Sequence, residues 1–503
     1  MSYRELKSGE KIKIAFLFQI PSFWPSWESF YHACMDEARF FVNFYFINDG
    51  VYVSGQTENA ANFLDEQRIP YTTFSWEHFD KFSPHAVVIQ APYDYSQRHP
   101  RMYARKFKEN GIRVIYIPYG IELADTKSAR NAHFREPVIK SAWRIYTMSS
   151  SFADEYKKYC QNFNAVRALG APKFDALLNK TRFRLPVQVV KKANGRKIIV
   201  WHVHFPKKID TDSGKRQVTP YLDEYVTFAQ ILNSFADLFF IFLPHPLFGD
   251  DCEVTSDKEN ILKALQVIEI LTKTENVFID KADDYRASLL NADAFISDRS
   301  ALMIEAAVVG VPILYLRNPD YAEPMFPPLV KLVESYYQGT GCTEMVEFLD
   351  SFRKGEDTNK PDRDNALAEC IPCIDGQSGR RIKDDIVNSM TASPEQVCND
   401  GDLGISKRIV LFGTGYVNNK IMKYFKFPAN YEVVAIVDND SQKWGWAVNG
   451  VKVCSPKELN SFDFDKVIIM ASGLNERQIY CQLMFELEVP PNKIEYCDYL
   501  STL

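Results

Sequence analysis

Short apolar runs alternate with amphipathic stretches along almost the whole chain, and this alternation restricts the fold more than any other feature. Ile12-Lys13-Ile14-Ala15-Phe16-Leu17-Phe18, Phe40 to Ile47, Ala86 to Ile89, Val114 to Ile117 and Arg144-Ile145-Tyr146 follow one another with helical segments between them. Runs with no polar alternation are strands covered on both faces, and helices between them force the strands to lie parallel. After a basic connector the pattern resumes with Lys197 to Trp201, Leu238 to Phe242, Val277 to Ile279, Ala294 to Ile296 and Pro312 to Leu316. It starts a third time with Lys407 to Phe412, Val433 to Asp438 and Val467 to Met470. The fold class is therefore α/β, with two consecutive Rossmann-type lobes and a smaller Rossmann-like unit. The lobes are expected at residues 1–180 and 181–392, a polar linker at 393–404 and the third unit at 405–503. Ligands of such sheets lie beyond the carboxyl ends of the strands, here between the lobes.

The length of 503 residues fits about three domains at roughly 150 residues each. With 46% hydrophobic and 25% charged residues the chain has material for large cores, and a disordered or fibrous protein is excluded. A net charge of −6 gives no general attraction for nucleic acid. The polar start Met1-Ser2-Tyr3-Arg4-Glu5 lacks a signal-peptide core, and no run approaches the ~20 apolar residues of a bilayer span, so a cytoplasmic protein is expected. Ten scattered cysteines fit reduced thiols, and Cys370-Ile371-Pro372-Cys373 reads as a chance loop pairing without a second pair.

The most informative stretch runs from Ile296 to Ile313, ISDRSALMIEAAVVGVPI. A strand ends, a polar turn follows, and Ser300 is a good helix cap. Free amides and the helix dipole at Ser300, Ala301 and beyond suit a diphosphate, and Glu305 is placed for a ribose hydroxyl pair. The bland alternative is an ordinary capped helix of a βαβ unit. His245, between two prolines at a strand end, is a candidate for phosphate contact or acid–base work. His202 and His204 fall on one face of their strand; contact with phosphate or acceptor is preferred there to a metal pair. The remaining five histidines stand in no comparable setting. Ser22, Trp24 and Trp27, after the first strand, could hold a sugar or polyol acceptor, or pack between lobes. The basic stretch Asn179 to Lys197 reads as a solvated linker, with contact to anionic lipid as the alternative. In the third unit, Gly413-Thr414-Gly415 with Asn418 in place of a third glycine is an imperfect dinucleotide fingerprint, and Asp438 fits the ribose-binding position.

The Ser297-Asp298-Arg299-Ser300 turn and its helix resemble the nucleotide-binding helix of GT-B glycosyltransferases, and more closely that of the CDP-glycerol glycerophosphotransferases of teichoic-acid and capsule synthesis. Gly170-Ala171-Pro172-Lys173-Phe174-Asp175, Pro244-His245-Pro246, Leu316-Arg317-Asn318-Pro319 and Asp375-Gly376-Gln377-Ser378-Gly379-Arg380-Arg381 are similar to that group's motifs in the same order, over roughly residues 12 to 390. The resemblance implies a GT-B pair of lobes, acceptor side first and donor side second. It implies His245 and Asp298 as catalytic residues, and Arg299, Ser300, Ala301, Glu305, His202, His204 and Lys173 around the donor. Where polymerases of the group carry a His-Gly-Thr-Pro base, this chain has Pro118-Tyr119-Gly120, which places Tyr119 and Gly120 on the acceptor side and leaves the base unassigned.

The implied activity is transfer of a polyol phosphate from a CDP-activated donor to a glycan or polyprenyl-linked acceptor, with no tightly bound cofactor or metal, peripheral contact with the membrane's inner face, and a homo-oligomer left open. A nucleotide-sugar-dependent GT-B glycosyltransferase is the alternative. A nucleotide-binding assembly protein with a decayed site is the third. Residues Gly413, Gly415 and Asp438 would hold a nucleotide in the third unit, in a regulatory or assembly role.

Overall fold

The computed structural model describes residues 3–47, 60–94, 98–160, 163–211, 214–250, 257–391, 407–414, 431–471, 474–490 and 493–496. The expected linker 393–404 and Gly415 lie outside them. Three sheets stand where the apolar runs place them. The first has seven parallel strands in the spatial order Thr72–Thr73, Phe40–Phe46, Ile12–Phe18, Ala86–Ile89, Arg113–Tyr116, Arg144–Thr147, Val166–Ala168. The second has six, in the order Val277–Ile279, Leu238–Pro244, Lys197–Val203, Ala294–Ser297, Ile313–Leu316, Tyr337–Gly339, again all parallel. In both sheets the first strand is central and the chain winds outward from it in both directions. That creates a switch point where neighbouring loops diverge and leave a crevice.

A single side chain seals each switch point. In the first lobe, buried Gln90 accepts from the amides of Gln19 (2.7 Å) and Ile20 (2.9 Å) and donates to the Ile20 carbonyl. In the second, Asp298 accepts from the His204 amide at 2.8 Å and from the Tyr225 hydroxyl at 2.8 Å. These bonds satisfy backbone groups that a diverging crevice would otherwise leave unpaired.

The lobes share one apolar core, to which strand residues of both contribute, Val87 and Tyr116 from the first and Val200 and Phe295 from the second. Phe326 of the second lobe is buried against Phe134 and Phe152 of the first, with ring centroids 5.3 and 5.1 Å away. Backbone bonds tie the same strap down, Phe326 N–H to Leu123 O at 2.6 Å and Asp125 N–H to Pro324 O at 2.7 Å.

The second unit does not hold all of residues 181–392. Its final helix, Ser378–Thr391, buries Ile382, Ile386, Val387 and Met390 in the first lobe, against the helix Glu28–Met35. The contact is close: a Cβ on Gly379 would lie 2.4 Å from the backbone of Ser29 and Phe30. Pro361 sits in the first turn of the helix Lys360–Cys370, where proline costs no hydrogen bond.

The third sheet has the order Ala447–Val448, Val451–Cys454, Tyr431–Val437, Lys407–Phe412, Lys466–Ile469, Ile494–Tyr496, with its first pair antiparallel. It has its own apolar clusters on the two faces. It touches the first lobe where Arg135 lies 4.0 Å over the Phe485 ring. Among the described residues, no helix is long and apolar enough to cross a membrane.

Candidate functional site

Three strands of the second lobe end in the same crevice and deliver its nitrogen-bearing side chains. His204 and Lys207 follow Lys197–Val203, His245 follows Leu238–Pro244, and Arg299 follows Ala294–Ser297. The His204 and His245 rings lie 4.7 Å apart. His204 Nδ1 bonds the Phe205 carbonyl at 2.9 Å, so this nitrogen carries the proton and Nε2 has the lone pair. His245 is the reverse: its Nδ1 accepts from the Leu247 amide at 3.1 Å, which leaves Nε2–H as a donor. Burial lowers both pKa values, that of His245 to about 4 with help from the Lys207 charge, and that of His204 well below the usual range with help from His245. Burial and the Arg299 charge lower that of Lys207 too. Cationic groups pushed toward neutrality by burial and by one another define a place where an anion is favoured.

The helix Leu302–Val309 starts beside this cluster, and the Ser300 hydroxyl accepts from the Leu302 amide at 3.2 Å, so Ser300 and Ala301 form the turn before the helix and Ser300 is not its formal cap.

The first lobe meets the cluster through Glu122, which shares a cavity lining with Gly120 and His133. Arg299 reaches across: it pairs with Glu323 of its own lobe and lies 3.4 Å from Glu122 of the other. Glu122 also accepts from the Ala124 amide at 2.7 Å and stands 2.9 Å from His133 Nε2. Burial alone would raise the Glu122 pKa, but His133, Arg299 and the Ala124 amide together hold it at about 2. Tyr119 stacks on Phe23 with centroids 3.7 Å apart and shares a 2.9 Å hydrogen bond with Tyr93. A cavity of about 30 Å³ is lined by Gly120, Glu122, His133, Tyr156 and Lys173 among others. His133 and Glu122 escaped the sequence reading because nothing in their spacing brings them together; the turn into the helix Lys127–Phe134 does.

Several expected site residues are placed differently. Glu305 is 1% exposed and holds Lys173 of the first lobe at 2.7 Å and the Tyr285 hydroxyl at 2.6 Å. The two residues expected at the donor thus meet each other in a buried bridge between lobes, and Glu305 does not stand open for a ribose. Asp298 is fully buried with both oxygens bonded, so it braces the His204 loop and does not face a substrate. His202 is buried too, its Nδ1 2.6 Å from the Leu243 carbonyl and its ring against Phe295. Trp24 and Trp27 are 1% and 0% exposed, packed in the aromatic core around Phe16, Phe18 and Phe44, and offer no face to an acceptor; Ser22 is exposed beside them.

In the third unit the Asp438 carboxylate accepts from the amide of Thr414 at 2.6 Å and from its hydroxyl, and so closes the glycine turn from within. It is thereby occupied where a ribose would need it. The connector's charges are partly paired as well, Arg182 with Glu28 and Lys197 with Asp293, both at 2.7 Å. Cys370 and Cys373 are free thiols, and among the described residues no group of three or more His, Cys, Asp or Glu could hold a metal ion.

Comparison with known proteins identifies the class of fold. The structure resembles the S. aureus MnaA–UDP co-structure (TM-score 0.52, 13% identity, 77% of this chain and 100% of that one). It resembles equally the UDP-GlcNAc 2-epimerase of Neisseria meningitidis bound to UDP-GlcNAc (0.52, 12%, 75% and 100%). The wall teichoic acid polymerase TagF is similar at 0.51, with 13% identity over 77% of this chain and 91% of that one. At such identities the likeness is one of fold, the two facing Rossmann lobes of GT-B proteins, with a third sheet added at the carboxyl terminus. Residues 405–495 match the family model described as C2185-like, N-terminal. No curated protein matches the sequence.

Proposed function

We propose that the chain is a GT-B-type transferase that takes a polyol phosphate, of the glycerol phosphate kind, from a CDP-activated donor and places it on a glycan or polyprenyl-linked hydroxyl during synthesis of a cell-surface polymer. The observation that carries the reading is the convergence of Arg299, Lys207, His204 and His245 at the carboxyl ends of the second sheet, beside the helix start at Leu302. A diphosphate bound there would offset the repulsion between Arg299 and Lys207 and accept from His245 Nε2–H, and it would meet the positive end of a helix dipole. The occurrence of a teichoic acid polymerase among proteins of this fold, and the motifs around Lys173, His245 and Asp298, support the CDP-polyol form of the donor.

In this mechanism the acceptor hydroxyl attacks the β-phosphorus and CMP departs with the electron pair of the broken P–O bond. Arg299 and Lys207 neutralise charge growing on the diphosphate, and His245 Nε2–H donates to it. Asp298 acts through the loop that it braces. Bound UDP or UDP-GlcNAc in two solved structures of the same fold favours the nucleotide-sugar alternative instead.

One experiment separates the two. The purified chain is titrated calorimetrically with CMP, CDP and UDP, then incubated with CDP-glycerol or UDP-GlcNAc and a polyol acceptor. Binding of the cytidine nucleotides and release of CMP are expected. Release of UDP alone would establish the alternative, and absence of binding to any nucleotide would overturn both.

A further inference from the structure

We infer that His133 is the base that removes the acceptor's proton, with Glu122 as its positioning residue. The inference deepens the transferase reading and rests on it. His133 lies near the end of the helix Lys127–Phe134, which Thr126 caps by accepting from the Ala129 amide at 3.2 Å. The ring therefore projects from a fixed element. Its Nε2 stands 2.9 Å from a Glu122 oxygen. An ionised carboxylate only accepts, so Nε2 carries the hydrogen and Nδ1 is the nitrogen that can take up a proton. Glu122 is in turn fixed by the Ala124 amide and by Arg299. A buried carboxylate behind an imidazole orients the ring and stabilises the imidazolium once it forms.

The surroundings fit an acceptor hydroxyl. His133 and Glu122 line the cavity of about 30 Å³ together with Gly120 and Lys173. That volume holds one or two water-sized groups, enough for a hydroxymethyl arm. The other charged groups on this side are engaged, Lys173 with Glu305 and Arg299 with Glu122 and Glu323, which leaves His133 as the base of the cavity wall. Arg299 connects the two halves of the site, touching Glu122 on one side and lying in the field of Lys207 and His204 on the other. The proposed base and the proposed donor cluster are thus one side chain apart.

In the step itself the acceptor's O–H proton passes to His133 Nδ1 as its oxygen bonds the β-phosphorus. The bond from phosphorus to the bridging oxygen breaks, CMP leaves with that electron pair, and the imidazolium returns its proton to water.

His133→Gln in the full chain is the decisive variant, since its amide can still donate to Glu122 but has no basic nitrogen. Transfer from CDP-glycerol is expected to fall about 10²-fold or more, with CMP affinity and thermal midpoint unchanged. His133→Ala should lose as much and regain part of it with added imidazole, and Glu122→Gln should cost rate only while His133 is present. Transfer by His133→Gln within about threefold of the unaltered chain would overturn the assignment and leave the functional reading standing. An unaltered chain that transfers from no nucleotide-activated donor would remove both.

Discussion

Asp298 shows how burial changes the meaning of a residue. Its pKa is pushed up to about 7 by burial, against the pull of the Tyr225 hydroxyl and the His204 amide. A carboxyl with a raised folded value is protonated in the native state while the unfolded chain is already ionised. Its stabilising contribution is therefore full below the unfolded value near 4 and is lost as pH rises through about 7. The ceiling of that loss, about three pH units, is roughly 4 kcal/mol. Asp298→Asn keeps an acceptor for the His204 amide without the charge. The thermal midpoint of the unaltered chain should fall more between pH 5 and 8 than that of the variant; parallel curves would show that Asp298 does not titrate in this range. The tryptophans make the same point. The sequence leaves Trp24 and Trp27 open between an acceptor platform and packing between lobes, and the sheet beneath them decides it by taking both into the first lobe's core.

Among the elements, the helix Ser378–Thr391 has its first turn capped by a side chain from another part of the chain. Asp175 accepts from the amides of Ser378 (3.2 Å) and Gly379 (2.9 Å) and from the Ser29 hydroxyl (2.7 Å). It acts as an N-cap delivered over 200 residues of sequence, at a point where three segments meet. Asp175→Ala should destabilise the two-lobed part by about 1–3 kcal/mol, seen as a lower urea midpoint with an unchanged slope. An unchanged midpoint would mean that water replaces the cap without cost. The resemblance places Lys173 of the motif Gly170 to Asp175 at the donor, whereas in the structure Lys173 bridges to Glu305 and Asp175 of the same motif caps the helix Ser378–Thr391. Such a role leaves no local trace, since the partners lie far away in sequence.

Across the whole molecule, the first two sheets and the third unit differ in how they are bound together. The lobes share an apolar core, the Phe326 strap and a buried ion pair of Arg286 with Glu28, whereas the third unit has separate clusters and a contact at Arg135 and Phe485. We propose on this basis that the unit after residue 404 folds separately. A chain ending at Thr391 should remain folded, keep its affinity for CMP and lose only the part of the unfolding transition that belongs to the third sheet. Insolubility of the shortened chain, or loss of CMP affinity, would show a single cooperative body.

What the sequence alone determined was the set of central strands and their parallel order. Runs such as Ile12 to Phe18 and Leu238 to Phe242 have no solvent-facing side, and only a sheet covered by helices can take them. It also placed His245 and Arg299 at strand ends, since strand ends are visible wherever an apolar run stops. Tertiary structure alone decided which polar residues stay open to a ligand. Asp298, Glu305 and Asp438 stand at equally good positions along the chain, yet each carboxylate is taken up by partners that only folding brings near: His204 and Tyr225, Lys173 and Tyr285, Thr414. His133 is the converse, an inconspicuous helix residue to which the fold brings Glu122 and the cavity. Periodicity is a property of neighbours in sequence, whereas the pairing of a buried charge depends on neighbours in space.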